Sequence, residues 1–521
     1  MVDILFGFNN KKNGMAQGII FDGLKKKIAP FIIPVIIFLA TFFVLFNLGR
    51  LQPLVHDEAV YLTKARSWQE NTPADEFKIY RPIGMAVVGR ILLQFGDSEQ
   101  LVRIFGVFFG ALTVVFIYLL FKGIFGKKIG IGTAIIVVTS TLFLKNAPQF
   151  LNDIPSSGLL FGSLWVIWDW YEKKGRSNFI LLFAPFSALA FYLRYGVSSS
   201  LAIIVLVSLI LLLPKFSKNG DVTYEKIFET IMLTVLLFAP HFIESIVVTK
   251  SFLGILRRSG DAAGREYLGK GLIDYITWLP NDMGGWLLGI VSIIGILAVG
   301  VVISKKKWRQ EHVGLIWVGC IGLSVFILNG TLVHAEPRYV FFPLVLFVGI
   351  GVVGMFLLLP NIKLLKSSFF ACLCLLAIFF GYGNYHESTM FFNDKTSGSS
   401  RTSYVKASSI IAKNEEGQDG CAIWSAAARP ELSWYARCRT FSIGDRDTFK
   451  RDFLINFRKA HYSVVFSKLK DKQLDENVAK EFGISLSEVF RTKAAQSDGD
   501  LVVYKIDDRD KFRFESSIEK E

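Results

Sequence analysis

Long stretches without a charged residue alternate along this chain with short polar connectors. Positions 28–49 carry no charged side chain, and a helix of that length, rising about 1.5 Å per residue, crosses a hydrocarbon core of about 30 Å. Comparable apolar runs follow at 104–121, 129–144, 154–168, 178–193, 195–214, 227–243, 283–303, 313–333, 339–359 and 367–384. The pattern predicts a polytopic α-helical membrane protein with about eleven spans, the shorter runs being tolerable in a bundle or a thin bilayer. The first run is too long for a cleaved secretory signal, and many more follow it.

The connectors predict orientation. Lys11, Lys12, Lys25, Lys26 and Lys27 precede the first run, which places the N-terminus in the cytoplasm. With that start, every expected cytoplasmic loop is basic: Lys127 and Lys128; Lys173, Lys174 and Arg176; Lys215 and Lys218; Lys305, Lys306, Lys307 and Arg309; Lys363 and Lys366. The alternation holds only if residues 82–95, interrupted by Gly84, Gly89 and Arg90, lie at the interface rather than crossing it. The expectation is therefore a multi-pass protein of the plasma membrane with its C-terminus outside. Its outer segments are 50–103, 145–153, 249–282 and a short one around 334–339.

Residues 1–385 form the expected membrane domain and 386–403 a Ser/Gly/Thr/Asn-rich linker. From 404 to 521, β-rich runs at 421–425, 462–467 and 501–506 alternate with helical patterns at 405–413 and 471–482. That alternation predicts a small extracytoplasmic α/β domain of roughly 120 residues. Cys421 and Cys438 both fall in it, where they either pair in an oxidising compartment or remain free buried thiols.

Composition agrees: 52% of residues are hydrophobic and only 20% charged, which excludes an ordinary soluble domain. The formal charge of +14 is accounted for by basic cytoplasmic loops, so nucleic-acid binding is not expected.

Candidate chemistry gathers on the outer side. The first outer segment reads His56-Asp57-Glu58-Ala59-Val60-Tyr61, followed by Tyr80-Arg81-Pro82-Ile83-Gly84. Asp57 and Tyr61, four apart, share a face of a helix. Two readings of Asp57 stand at this point: a general base, or an acid favoured at a helix start. Asn152 and Asp153 occupy the second outer segment; Arg257, Arg258, Asp261, Arg265, Glu266, Asp274 and Asp282 the third; His334-Ala335-Glu336-Pro337-Arg338-Tyr339 the fourth. Arg194, at the outer end of a run, either snorkels or faces the cavity, snorkelling being the expectation.

An Asp-Glu-Ala-x-x-Tyr element after the first span, a basic residue before proline, Asn-Asp-x-Pro in the second outer loop and His-x-x-x-Arg-Tyr before a late span make a recurring set. In that order and on one face, over about residues 28–385, they resemble the GT-C superfamily of membrane glycosyltransferases. The branch most resembled is that of the lipid A aminoarabinose transferases and protein O-mannosyltransferases. The resemblance implies transfer of a sugar, with inversion, from a polyprenyl-phosphate donor to an acceptor lipid, glycan or protein at the outer face. It implies Asp57, Asp153 and Glu58 as catalytic acids, and Arg81, Arg338, His334 and Tyr339 at the donor phosphate. Arg257 and Arg258 either join the phosphate site or meet the anionic lipid surface. Pro82-Ile83-Gly84 departs from the Pro-Pro-Leu common after the basic residue, which bears on the role of Arg81.

No cofactor is required by this resemblance, although some members of the superfamily hold a divalent cation, here between Asp57 and Asp153. The six histidines show no paired ligand spacing for zinc, and a phosphate-cradling glycine loop is absent. Gly106 and Gly110 read as helix-packing positions. A non-catalytic lipid or polysaccharide transporter is the competing class, but it calls for charged or broken helices near the midplane. An oligosaccharyltransferase calls for a Trp-Trp-Asp motif that is missing.

Overall fold

Helices account for most of the chain in the computed structural model, which describes residues 14–50, 53–70, 74, 77–213, 224–263, 270–278, 285–304, 310–332, 335–359, 362–392, 401–414, 421–441, 460–469, 473–481, 483–493 and 499–507. Lys11, Lys12, Lys215, Lys218, Arg265, Glu266, Asp282, the basic run 305–309 and the candidate His334 lie outside the described residues.

In the membrane domain the helices are α1 (Gly14–Gly49), α2 (His56–Glu70), α3 (Gly84–Leu92), α4 (Glu99–Phe125), α5 (Lys127–Val138), α6 (Thr141–Asn146), α7 (Asp153–Glu172) and α8 (Phe183–Leu193). They continue with α9 (Val197–Leu211), α10 (Tyr224–Thr249), α11 (Gly254–Ala263), α12 (Lys270–Trp278), α13 (Gly285–Ser304), α14 (Gln310–Asn329), α15 (Phe341–Leu358) and α16 (Lys363–Phe392). Every apolar run read from the sequence falls on one or two of these helices. Among the described residues, 6 helices are long and apolar enough to cross a membrane, and three shorter apolar helices accompany them. The protein is a multi-pass membrane protein.

Burial separates the centre of the bundle from its rim. The apolar window of α15 is 83% buried and that of α4 67%, against 11% for α10, so α10 presents its apolar residues outward, as a lipid-facing helix does. The run at 129–144 is divided: α5 stops at Thr139 and α6 starts after Ser140, whose hydroxyl accepts the amide of Phe143. Helix α3 has only 9 residues, too short to cross a bilayer and consistent with an interfacial position. It opens on Gly84 because a Cβ there would lie 2.4 Å from the Tyr192 carbonyl oxygen at the end of α8. Gly106 has the same reason to be small: a Cβ would lie 2.2 Å from the Gln149 carbonyl, which lets α4 pass close under the segment leading into α7.

Helix α16 continues to Phe392, and the C-terminal unit starts with α17 (Arg401–Asn414). Its strands β1 (Ala422–Ser425), β2 (Arg439–Phe441), β3 (Ala460–Phe466), β4 (Leu486–Lys493) and β5 (Asp500–Ile506) form one sheet in the order β2-β1-β3-β5-β4. β1 pairs in parallel with β2 and β3, whereas β5 is antiparallel to both β3 and β4. The three interior strands are those legible as apolar runs. The edge strands are polar, and Glu488, Arg491 and Lys493 on β4 guard an exposed edge. Cys421 and Cys438 are disulfide-bonded, which ties β1 to the residue preceding β2.

Between β1 and β2 lies α18 (Arg429–Ala436), and this helix docks on α2 of the membrane domain. Arg66 donates to the Trp434 carbonyl at 2.7 Å, its guanidinium lies 3.6 Å from the Trp434 ring centre, and it pairs with Asp97 at 3.0 Å. Tyr435 accepts the Leu54 amide at 2.7 Å, and Arg437 also pairs with Asp97. Trp434 belongs to the membrane domain's own apolar core. The two units therefore share a packed junction, beside the start of the helix that carries Asp57.

Candidate active site

The acids and arginines that meet at the site sit where helices begin or end. Asp57 lies in the first turn of α2 and Asp153 in that of α7, both positions where the helix dipole favours a carboxylate. Arg81 precedes α3, Arg194 follows α8, and Arg338 lies in the 3-10 turn Pro337–Val340 that leads into α15. These ends converge on a cavity of about 810 Å³ lined by Asp57, Tyr61, Tyr80, Arg81, Asn152, Asp153, Arg194, Glu336, Arg338 and Tyr339.

The charges are interlocked. One oxygen of Asp57 accepts Arg81 Nη1 at 3.0 Å and the other accepts Arg338 Nη2 at 2.8 Å. Arg338 Nε lies 3.5 Å from Asp153 Oδ2 and 2.5 Å from Glu336 Oε2. The other oxygen of Asp153 accepts Arg194 Nη1. The Tyr339 ring lies beside both guanidiniums, 4.5 Å from Arg194 and 5.8 Å from Arg338, a cation–π contact that fixes their planes. Asn152 donates to Tyr61 Oη at 3.1 Å and to the Leu193 carbonyl at 3.0 Å, tying α2, α7 and α8 together at the cavity floor.

Burial by itself would raise the Asp57 carboxyl, but the Arg338 and Arg81 guanidiniums together outweigh it and hold the group at about 2. Asp57 is thus an anion throughout any working pH range. The Arg81 guanidinium is correspondingly strengthened: burial opposes its charge, and Asp57, with Tyr61 and Tyr80, more than offsets that. Burial, then the negative Asp57, raises the Tyr61 phenol, so Tyr61 stays a neutral hydrogen-bonding group.

The two adjacent acids part company. Glu58, placed among the catalytic acids by resemblance, does not line the cavity and is wholly buried on the other side of α2. Its carboxylate accepts Arg103 Nε at 3.1 Å and Nη2 at 2.9 Å, together with the amides of Phe150 at 2.6 Å and Val55 at 2.9 Å. A helix turns about 100° per residue, so one acid meets the cavity and its neighbour the core. Arg257 and Arg258 lie exposed on α11 and do not line the cavity, although Ser259 does. Arg194 does not snorkel; it is drawn inward by Asp153. Its position at the outer end of an apolar run, like that of Arg338, was the available signal. Glu336 was visible only as part of a motif.

The donor set does not suit a divalent cation. Asp57 and Asp153 are already engaged by three guanidiniums, and among the described residues no cluster of three or more metal-ligating side chains occurs.

The sequence profile of the dolichyl-phosphate-mannose-protein mannosyltransferases matches residues 81–243, a stretch holding Arg81, Asp153 and Arg194. No curated protein matches by sequence. In fold the chain is similar to ArnT from Cupriavidus metallidurans bound to undecaprenyl phosphate, with a TM-score of 0.63 at 14% identity, over 90% of this chain and 97% of that one. It is also similar to the Archaeoglobus fulgidus oligosaccharyltransferase in complex with Zn and sulfate, with a TM-score of 0.57 at 13% identity, over 82% of this chain and 68% of that one. The same archaeal enzyme, AglB, with an inhibitory peptide and a dolichol-phosphate, gives 0.56 at 11% identity, over 85% and 70%. In fold, and in sequence profile over residues 81–243, the chain resembles the GT-C superfamily of membrane glycosyltransferases, and within it the aminoarabinose transferase and protein O-mannosyltransferase branch.

Proposed function

We propose that this protein is an integral membrane glycosyltransferase that moves a sugar from a polyprenyl-phosphate donor to an acceptor at the outer membrane face, with inversion. The observation that carries the reading is the interlocked set of Asp57, Asp153, Arg81, Arg194 and Arg338 around one cavity at the helix ends. With Glu336, three acids and three arginines face each other there, so an anionic phosphate enters by taking guanidiniums away from carboxylates. Arg81 and Arg338, with their forked donors, suit phosphate oxygens. Once they turn to the phosphate, Asp57 loses the partners that made it so weak a base and becomes free to orient and deprotonate an acceptor hydroxyl or amine. The arginines meanwhile stabilise the charge that builds on the departing phosphate. Phosphate leaves readily, so no strong general acid is needed.

Glu58 is read as the residue that fixes the angle of α2, not as a reacting group. The transferred sugar is a hexose or pentose, mannose being the one the matching profile describes. Ionisable residues gathered at one end of the bundle support an enzyme over a transporter. The orientation proposed from the basic loops is N-terminus inside and C-terminal domain outside, in keeping with the Cys421–Cys438 disulfide. A reporter after Lys306 should then be cytoplasmic and one after Ser467 external.

The decisive experiment incubates purified protein with a panel of polyprenyl-phosphate sugars and detects free polyprenyl phosphate. Release from one donor by the native chain, lost in Asp57→Asn, supports the reading. Failure with every hexose and pentose donor, in the presence of membrane lipids, glycans and peptides as acceptors, would refute it.

A further inference from the structure

The junction with the C-terminal domain reaches the cavity at one point. His56, the residue before Asp57, lines the cavity with its side chain 55% exposed. Its Nδ1 lies 3.5 Å from Oε2 of Glu431, which sits in the first turn of α18 with its side chain only 9% exposed. That oxygen accepts no hydrogen bond, and among the described residues Glu431 has no other ion pair. A buried carboxylate with a single cationic partner is costly unless that partner is charged. The two nitrogens of an imidazole lie on opposite edges of the ring, so holding Nδ1 toward α18 leaves the other N–H for the cavity.

We propose that His56 is a further phosphate-binding group of the cavity, and that Glu431 of the C-terminal domain is the residue that positions it. The proposal rests on the phosphate-transfer reading and deepens it, because it gives the C-terminal domain a part in the site. The groups facing His56 are Glu431 from α18, Asp57 from its own helix and Arg81 from the loop before α3. The neighbouring Glu431 carboxylate raises the imidazole above its ordinary 6.5, against the opposing effects of burial and Arg81, with Asp57 adding to the rise. In its protonated form the ring faces Glu431 with one N–H and offers the other to a phosphate oxygen. No proton needs to move for it to act.

The test measures binding of undecaprenyl phosphate in micelles to the purified full chain from about pH 5.5 to about pH 9. The second ionisation of the phosphate, near pH 6, is common to all variants, so the difference between profiles is what is read. Below its titration point, native protein should bind roughly ten-fold tighter than His56→Gln, the worth of one charge-assisted hydrogen bond. The advantage should vanish as pH rises through the imidazole's raised value. Glu431→Gln should shift that midpoint toward the ordinary value, and His56→Lys should keep tight binding without the midpoint. His56 is largely exposed, so the His56 variants decide the matter even if Glu431→Gln fails to fold. Superimposable native and His56→Gln profiles would overturn the proposal while binding still depends on Arg81 and Arg338. If Arg81→Ala and Arg338→Ala also bind normally, the underlying phosphate reading falls instead.

Discussion

Replacing Glu58 by Gln, a change of one atom, should unfold the site without touching its chemistry. The Glu58 carboxylate takes four donors, two on each oxygen: Arg103 Nε and the Phe150 amide on Oε1, Arg103 Nη2 and the Val55 amide on Oε2. Glutamine keeps one oxygen and turns the other into an NH2, which meets two donors head on. It also takes the Glu58 charge away from the buried Arg103 guanidinium, which donates as well to the Gly49 and Pro53 carbonyls at 3.2 and 2.9 Å. Breaking a buried pair in this way costs about 3–5 kcal/mol, and the two lost charge-assisted bonds, at about 1.5–3 kcal/mol each, give the same range. The unfolding midpoint of the detergent-solubilised protein should fall by about 3–5 °C. Reactivity of the free Cys320, Cys372 and Cys374 thiols during heating gives a readout independent of activity. Asp57→Asn, one residue away, should cost no more than the about 2 kcal/mol its lowered carboxyl represents, less than Glu58→Gln, and lose transfer instead. A Glu58→Gln protein that melts like native but is inactive would refute the division of labour, and so would an Asp57→Asn protein that unfolds.

Four other outcomes are expected. Asp57→Asn should lower turnover by roughly 10² or more with donor binding retained, measured as release of free polyprenyl phosphate. Arg338→Lys keeps the charge but not the fork, so donor affinity should drop roughly 10-fold. The folded-state carboxyl of Asp57 lies at about 2, below its usual 3.8; its contribution of about 2 kcal/mol is therefore full above about pH 4 and lost as pH falls through about 2, as an acid-unfolding titration of native against Asp57→Asn will show. Removing the disulfide with Cys421→Ser and Cys438→Ser, 17 residues apart, should cost the C-terminal domain about 3 kcal/mol. Limited proteolysis of that domain, with and without reductant in the native chain, checks it.

Much of the bundle was legible because membrane insertion writes itself locally. Each apolar run and basic loop is a continuous stretch, and the runs fell on helices. The interior strands β1, β3 and β5 were legible for the same reason. Asp57, Asp153, Arg81 and Arg338 were found through short motifs at helix ends, and the fold brings all four to one cavity. What escaped depends on contacts between distant segments. Nothing around Glu58 announces Arg103, 45 residues on, and a one-residue step in a helix decides cavity or core. Arg194 was misread because an arginine at a helix end looks the same whether it turns to lipid headgroups or to Asp153. Helix α18 is short and polar enough to pass for a loop, and only its partners Arg66, Leu54 and Asp97 show what it does. Arg257 and Arg258 illustrate the converse: a charge cluster conspicuous in sequence stays on the outside of α11.

The docking of α18 on α2 sets an order of events in the life of the chain. Helix α2 is among the first segments to be synthesised, and Trp434, Tyr435 and Arg437, which hold it through Arg66, Leu54 and Asp97, are among the last. A chain stalled or cut after α16 would already contain the acids and arginines of the cavity, yet it would lack the clasp that fixes the helix bearing Asp57. Competence is thereby coupled to synthesis of the C-terminal domain: a part of the chain made late fastens one made early.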